Sequence, residues 1–190
     1  MRKSLQQIWD EMPLKSDKGD IHSYLGVYEK LFAPYRDAEI NVLEIGLFNG
    51  SSLLLWEQYF TKAAVHGIDC SETPVDGMAD LRPLIAEGTH NIHIMDGSCE
   101  GQIEIEFGET KWDIVIDDSN HVLETQLKTI EIFKSRLAPN GLILIEDVQN
   151  LDTERAVFEA LSDELDIEII DLRHVKGRYD DTIIIVKNKP

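Results

Sequence analysis

Cysteine is scarce in this 190-residue chain: only Cys70 and Cys99 are present, and they lack CxxC spacing. That excludes a disulfide framework and makes a reducing cytoplasm the expected compartment. Basic residues are also few. Lys and Arg number 18 against 36 Asp and Glu, a formal charge of -18, so the long-range field repels phosphate backbones and anionic lipid headgroups. Nucleic acid and membrane are therefore not expected partners. Long apolar runs are missing as well, the longest being four or five residues such as Leu53 to Trp56 and Ile183 to Val186, against the roughly 18 needed to cross a bilayer. In the opening MRKSLQQIWDE, Asp10 and Glu11 fall where a secretory leader would need its apolar region, so no such leader is expected. No internal repeat or flexible linker interrupts the chain.

What is present suits one ordinary domain. The sequence is 43% apolar and 28% charged, enough hydrophobic material for a real core. Residues 4 to 36 carry helical spacing (Leu5, Ile8, Trp9, Met12, then Tyr24, Leu25, Tyr28, Leu31, Phe32) around a polar break, PLKSDKGD, and read as a helical cap over 1–38. From residue 39 to 190 the pattern changes to β-branched runs: INVLEI, AVHGID, NIHIM, DIVID, GLILIE, DIEIID and DTIIIVK. Helical stretches are expected between them at Ser51 to Phe60, around Ala79 to Glu87, at Val122 to Leu137 and at Thr153 to Leu165. Nearly continuous apolar strands separated by helices predict an α/β, doubly wound, mostly parallel seven-stranded sheet. The last two runs are joined only by RHVKGRY, too short for a crossover helix, and are expected to form a terminal antiparallel hairpin. QIEIEFGE, residues 102–109, alternates like a strand where a helix is expected, and stays unassigned.

In such a sheet ligands bind beyond the carboxyl ends of the strands. The first run ends in Glu44-Ile45-Gly46-Leu47-Phe48-Asn49-Gly50-Ser51-Ser52. Two glycines permit close approach of a ligand, and the helix that follows opens with unpaired N–H groups; the plainer reading is a strand-to-helix turn capped by Ser51 or Ser52. Asp69 stands 19 residues after Gly50 at the end of the second run, where its carboxylate can accept from a ribose diol or be an exposed strand-end acid. Asp96, in MDGS, can reach an adenine or make a turn. The spacing GxxxG differs from the GxGxxG of dinucleotide binders, which disfavours NAD.

Further along, Asp117-Asp118-Ser119-Asn120-His121 ends the fourth run and Glu146-Asp147 the fifth. On neighbouring strands these four carboxylates would stand roughly 5 Å apart. Such a cluster either protonates or holds a hard divalent ion through its oxygens, with His121 placed to take a proton. Separate helix caps are the plainer reading. Arg173, His174, Lys176 and Arg178 form the one basic cluster, read as a solvated hairpin tip with an anionic acceptor or a neighbouring subunit second, and the three tryptophans read as core.

Glu44, Gly46 and Gly50 match the first motif of class I S-adenosylmethionine-dependent methyltransferases, which the chain resembles over 39–190. Ile116-Asp117-Asp118-Ser119-Asn120-His121 and Ile145-Glu146-Asp147 are further similar to the IDDGSH and IED motifs of metal-dependent macrocin/mycinamicin-type sugar O-methyltransferases. The segment Lys15-Ser16-Asp17-Lys18-Gly19-Asp20-Ile21-His22-Ser23-Tyr24 is similar to the TDKG…H.Y segment that folds over the cofactor in that family; read alone it is a polar loop in which His22 and Tyr24 pack. The resemblance implies S-adenosylmethionine and Mg²⁺ or another divalent metal as cofactors. It places Glu44, Gly46, Gly50 and Ser51, with Asp69, Asp96 and Asp117, on the cofactor side, Asp118, Glu146 and Asp147 on the metal, and His121 as general base. A small hydroxylated acceptor, a sugar, is the implied partner. Ser119-Asn120 replaces the family's Gly-Ser, and Val148 to Leu151 replaces its aromatics after IED. With no long auxiliary domain to build an acceptor pocket, the loops at 71–78 and 148–152 or another subunit of a homo-oligomer are expected to close it. Two alternatives remain open: a non-catalytic cofactor-binding subunit, and a related antibiotic-pathway enzyme of a hydroxylase-named family.

Overall fold

The computed structural model describes residues 2–72 and 81–190. Seven strands, β1 (Asn41–Ile45), β2 (Ala64–Asp69), β3 (Asn91–Ile94), β4 (Trp112–Asp117), β5 (Leu137–Glu146), β6 (Leu165–Asp171) and β7 (Thr182–Asn188), form one sheet in the order β3-β2-β1-β4-β5-β7-β6. The first five run parallel, whereas β7 pairs antiparallel with both β5 and β6. This is the doubly wound, mostly parallel sheet with a terminal antiparallel hairpin that the β-branched runs predict. The chain leaves β1 toward β2 on one side and returns to β4 on the other, so the switch of direction opens a crevice at the ends of β1 and β4.

Because side chains alternate along a strand, each central strand feeds two cores. Val42, Ile114, Leu144 and Ile185 pack with helices α1 (Leu5–Glu11), α3 (Leu25–Phe32) and α4 (Ser51–Tyr59). Leu43, Val115, Ile143 and Ile184 face α6 (Glu100–Phe107), α7 (Leu123–Lys134) and α8 (Leu151–Ala160). Leu5, Ile8, Tyr24, Tyr28 and Phe32 of the N-terminal segment lie in the first of these cores, so that segment shares its burial with the sheet. A short helix, α2 (Asp17–Asp20), falls inside the polar break, capped by Ser16. The helix α5 (Arg82–Glu87) covers the described part of the stretch expected from Ala79, whose first two residues lie outside the described residues. A last helical turn, α9 (Arg173–Lys176), occupies the hairpin connection.

The alternating QIEIEF segment lies in α6. Ile103 and Phe107, four apart on one helical face, are buried under the sheet, while Ile105 is 87% exposed. Period-2 alternation was overridden by that single i, i+4 pair, since the sheet at this point needs a crossover helix between parallel strands. The tip of the last hairpin is exposed, as a solvated tip should be, yet Lys176 Nζ donates to the carbonyls of Gly19, Asp20 and His22 at 2.8, 3.0 and 2.6 Å, and Arg173 and Arg178 pair with Asp171 and Asp180. The charge serves to hold another segment of the same chain. No helix among the described residues is long and apolar enough to cross a membrane.

Replacing Ile103 by Ala should cost ~2–5 kcal/mol of unfolding free energy, and Ile105 by Ala less than about 0.5 kcal/mol. Urea titrations of the two variants check this; equal losses would contradict the helical assignment.

Candidate active site

A cavity of about 610 Å³ opens at the switch point, within the range that takes a nucleoside-sized ligand. Its floor is the turn after β1. Gly46 has φ +90°, and a Cβ there would lie 2.1 Å from the Asp118 carbonyl oxygen, so only glycine lets β1 and the end of β4 approach this closely. Gly46 N–H donates to Ile68 O at 2.8 Å and Asp118 N–H to Ile45 O at 2.9 Å, which fixes the turn against both neighbouring strands. Gly50, at φ +76°, is the residue that caps α4, so neither Ser51 nor Ser52 is the side-chain cap. Asn49 Oδ1 instead accepts from Ser51 N–H at 3.0 Å.

Asp69 Oδ2 accepts from Leu47 N–H at 2.9 Å and Oδ1 from Ser71 N–H at 3.1 Å, which holds the carboxylate at the cavity wall with lone pairs left for a diol. Asp96 also lines the cavity, and it makes the MDGS turn as well: Oδ1 accepts from Ser98 N–H and Oγ at 2.9 and 2.7 Å, and the Ser98 hydroxyl holds its carboxyl below the usual carboxylate range. Gly46 and Ser51 reach the cavity surface. Glu44, Gly50 and Asp117 do not line it. Asp117 is buried beneath and accepts from Ser119 N–H and Oγ at 3.2 and 2.6 Å, and burial pushes its carboxyl up.

The strand-end acids converge. Asp117 on β4 stands level with Ile145 on β5, so Asp118 and Glu146 follow side by side. Between them lies Lys18 from α2, wholly buried, its Nζ 2.6 Å from Asp118 Oδ2, 2.7 Å from Glu146 Oε2 and 3.5 Å from Glu44 Oε1. Burial pulls the Lys18 ammonium down, but the carboxylates of Asp118, Glu146 and Glu44 outweigh it and hold the group well above the usual lysine value. Glu44 is wholly buried, and burial pushes it up to about 7 against the pull of Lys18 and, more weakly, of the Ser52 and Trp56 side chains. The other Glu146 oxygen accepts from the Tyr28 hydroxyl.

Asp147 stands one residue on. Its Oδ1 accepts from the Tyr24 hydroxyl and lies 3.3 Å from His22 Nδ1, while Oδ2 lies 3.9 Å from His121 Nε2. Burial, with Asp118 beside it, pushes Asp147 up to about 8. His121 has φ +57° and Asp147 φ +55°, left-handed backbone that costs energy for residues with side chains and is kept where the surroundings force a geometry. Asp118, His121 and Asp147 offer ligand atoms that all lie within 4.8 Å of one another. Two hard oxygens and an imidazole nitrogen at that spacing fit a divalent ion. The motif segments thus meet as the sequence suggests, while Lys18, Tyr28, Tyr24 and His22 are site residues that spacing along the sheet motifs does not single out. For Lys18, His22 and Tyr24 the signal was the KSDKG and HSY stretch itself, whose polar residues have no reason to be buried except around opposite charge, while Tyr28 is one of the apolar-face positions of α3 and carries no separate signal.

The central part of the chain, residues 43–148, matches the model of a methyltransferase domain. The chain belongs to that methyltransferase-domain family. It is 32% identical over 142 residues to the 8-demethyl-8-alpha-L-rhamnosyl tetracenomycin-C 2'-O-methyltransferase of Streptomyces olivaceus, a match covering 70% of this chain and 35% of the relative. To the demethylmacrocin O-methyltransferase of Streptomyces fradiae it is 28% identical over 137 residues, 68% of this chain and 33% of that one. The domain therefore spans about a third of the length of these curated relatives. Among solved structures, the MycE methyltransferase of the mycinamycin biosynthetic pathway, in complex with Mg, SAH and mycinamycin VI, superposes with a TM-score of 0.72 at 18% identity, covering 98% of this chain and 55% of MycE.

Glu44 and Asp147 give this methyltransferase domain a pH signature. With both acids raised above their unfolded values, the folded state retains protons that the unfolded chain releases near pH 4, so their stabilisation is full below about pH 4 and is lost as pH rises through 7 and 8. In the presence of EDTA the Tm should fall between pH 5 and 8.5, and Asp147→Asn should flatten that slope, as scanning calorimetry would record. A Tm rising over this window would contradict the burial of these acids.

Proposed function

We propose that this domain transfers the methyl group of S-adenosylmethionine to a hydroxyl of a sugar or glycosylated small molecule, assisted by a divalent ion such as Mg²⁺, in the cytoplasm and within a homo-oligomer. The observation that carries the reading is the convergence of Asp118, His121 and Asp147, the first two of which line the cavity that Gly46 and Asp69 also line. The relatives are named for methyl transfer to sugar-bearing natural products, and MycE holds Mg and SAH. Two free cysteines, Cys70 and Cys99, suit a reducing compartment. Phe48, exposed at the cavity mouth, offers an apolar edge to an acceptor or a second subunit; of the loop expected to close this side, residues 73–78 lie outside the described residues.

The roles follow from position. Asp69, oriented by two backbone N–H groups, accepts from the ribose hydroxyls, and the glycine turn lets the cofactor's methionine part lie against the backbone. Asp118, Glu146 and Asp147 would hold the ion, and Lys18 pairs with the first two. When bound, such an ion would supply Lewis-acid polarisation that makes an acceptor hydroxyl easier to deprotonate. His121 Nε2 takes the proton as the methyl group passes from the sulfonium sulfur to that oxygen, leaving S-adenosylhomocysteine, and Asp147 beside it offsets the imidazolium charge.

Isothermal titration should show binding of S-adenosylhomocysteine, weakened by Asp69→Ala. In a methyl-transfer assay on demethylated glycosides, His121→Gln should lower turnover roughly 10²–10⁴-fold with cofactor affinity unchanged, and chelation should abolish the activity. Absence of cofactor binding at millimolar concentration would sink the proposal. Cofactor binding with no ion bound and no methylated product would make the domain a nucleoside-binding subunit instead.

A further inference from the structure

We propose that His66 and His93 form a separate ion site, away from the strand-end acids, that takes a divalent transition ion such as Zn²⁺ or Ni²⁺ between their facing ring nitrogens. Both histidines interrupt apolar strand runs, AVHGID in β2 and NIHI in β3, and both pack on the α6 side of the sheet. His66 Nδ1 and His93 Nε2 stand 3.1 Å apart. An ion about 2.1 Å from each nitrogen spans that gap, with water as its remaining ligands.

The ring tautomers follow from a third partner. Glu106 Oε1 lies 2.8 Å from His93 Nδ1, so the carboxylate holds the His93 proton on that nitrogen and turns the Nε2 lone pair toward His66. A carboxylate behind an imidazole is the arrangement that orients metal-bound histidines and raises their basicity. Without an ion, His66 Nδ1 donates its proton into the gap. When an ion enters, that proton moves to His66 Nε2 and the ring stays neutral. Burial, with His93 beside it, pulls the His66 imidazole below its usual value, which keeps it uncharged near neutral pH.

The two rings are held in place. Phe107 is T-shaped to both, at centroid distances of 5.9 Å from His66 and 4.8 Å from His93, and Trp112 stands at 83° to His66, 5.4 Å away. β3 is an edge strand and the His93 side chain is 20% exposed, so an ion reaches the gap from solvent while the sheet fixes the ligands. Imidazole nitrogens suit Zn²⁺, Ni²⁺ and Cu²⁺, whereas Mg²⁺ takes oxygen, so this pair and the strand-end acids select different ions. Once bound, the ion clips β3 to β2, the strand that ends in Asp69.

The test is calorimetric titration of the whole chain with Zn²⁺ in excess Mg²⁺, with thermal melts and imidazole-nitrogen NMR alongside. One equivalent should bind, raise the Tm and shift His66 Nδ1 and His93 Nε2, and it should persist in His121→Gln, which removes a nitrogen from the strand-end cluster. His66→Phe and His93→Gln should each weaken it at least ~10-fold, and Glu106→Gln roughly 10-fold. The Glu106 side chain is 47% exposed, so its variant keeps the test decisive if a histidine variant fails to fold. No Zn²⁺ binding at millimolar concentration, or binding that survives both histidine substitutions, would overturn the inference. Loss in His93→Gln without loss in His66→Phe would put the ion on one ring and overturn it as well. Loss in His121→Gln alone would assign the ion to the strand ends, with the same result. The methyl-transfer reading stands or falls separately, on its cofactor titration.

Discussion

The ion pairing of one buried lysine with three acids from three different strands is the contact on which the site's architecture depends. Glu44, Asp118 and Glu146 come from β1, from the end of β4 and from the end of β5, and each would be costly to bury as an unpaired anion. A single ammonium on α2 compensates them, and because it belongs to the N-terminal segment, that segment must fold down onto the sheet for the acids to be tolerated. The packing of Tyr24, Tyr28 and Phe32 into the first core gives the apolar reason for the same docking. Electrostatic and hydrophobic requirements agree, which is what makes a polar, glycine-containing loop adopt one place.

Around that contact the sheet supplies precise backbone. The glycine at 46 allows the β1 turn to touch the backbone at Asp118, and the reversal of strand order opens the crevice between them. Of the four non-glycine residues with left-handed backbone among the described residues, Phe48, His121 and Asp147 lie at the same edge, and only Asn140, near the start of β5, lies elsewhere. Conformational energy is thus concentrated where side chains must be aimed rather than where they merely pack.

Much of the fold was legible in the sequence because parallel strands buried on both faces leave a dense β-branched signature. INVLEI, DIVID and GLILIE needed no context to be read. QIEIEF was not legible, since its alternation and its i, i+4 pair describe two different structures and only the sheet's demand for a crossover decides between them. The candidate site was half legible. Glycines, the acid after β2, and the DDSNH and IED stretches announce themselves by type and spacing, but whether a given acid faces a cavity or lies under it was not visible: Asp69 lines the pocket and Asp117 does not.

The chain's composition and local patterning by themselves determined an acidic α/β domain with a ligand edge at its strand ends, because hydrophobic periodicity and turn chemistry are properties of neighbouring residues. Which charges meet is not such a property. Lys18 lies 100 residues from Asp118 and 128 from Glu146, and only the folded sheet brings their heads within 3 Å. The tertiary structure therefore decided the electrostatics of the site, since Coulomb interactions depend on distances in space, and a sequence lists its charges without those distances.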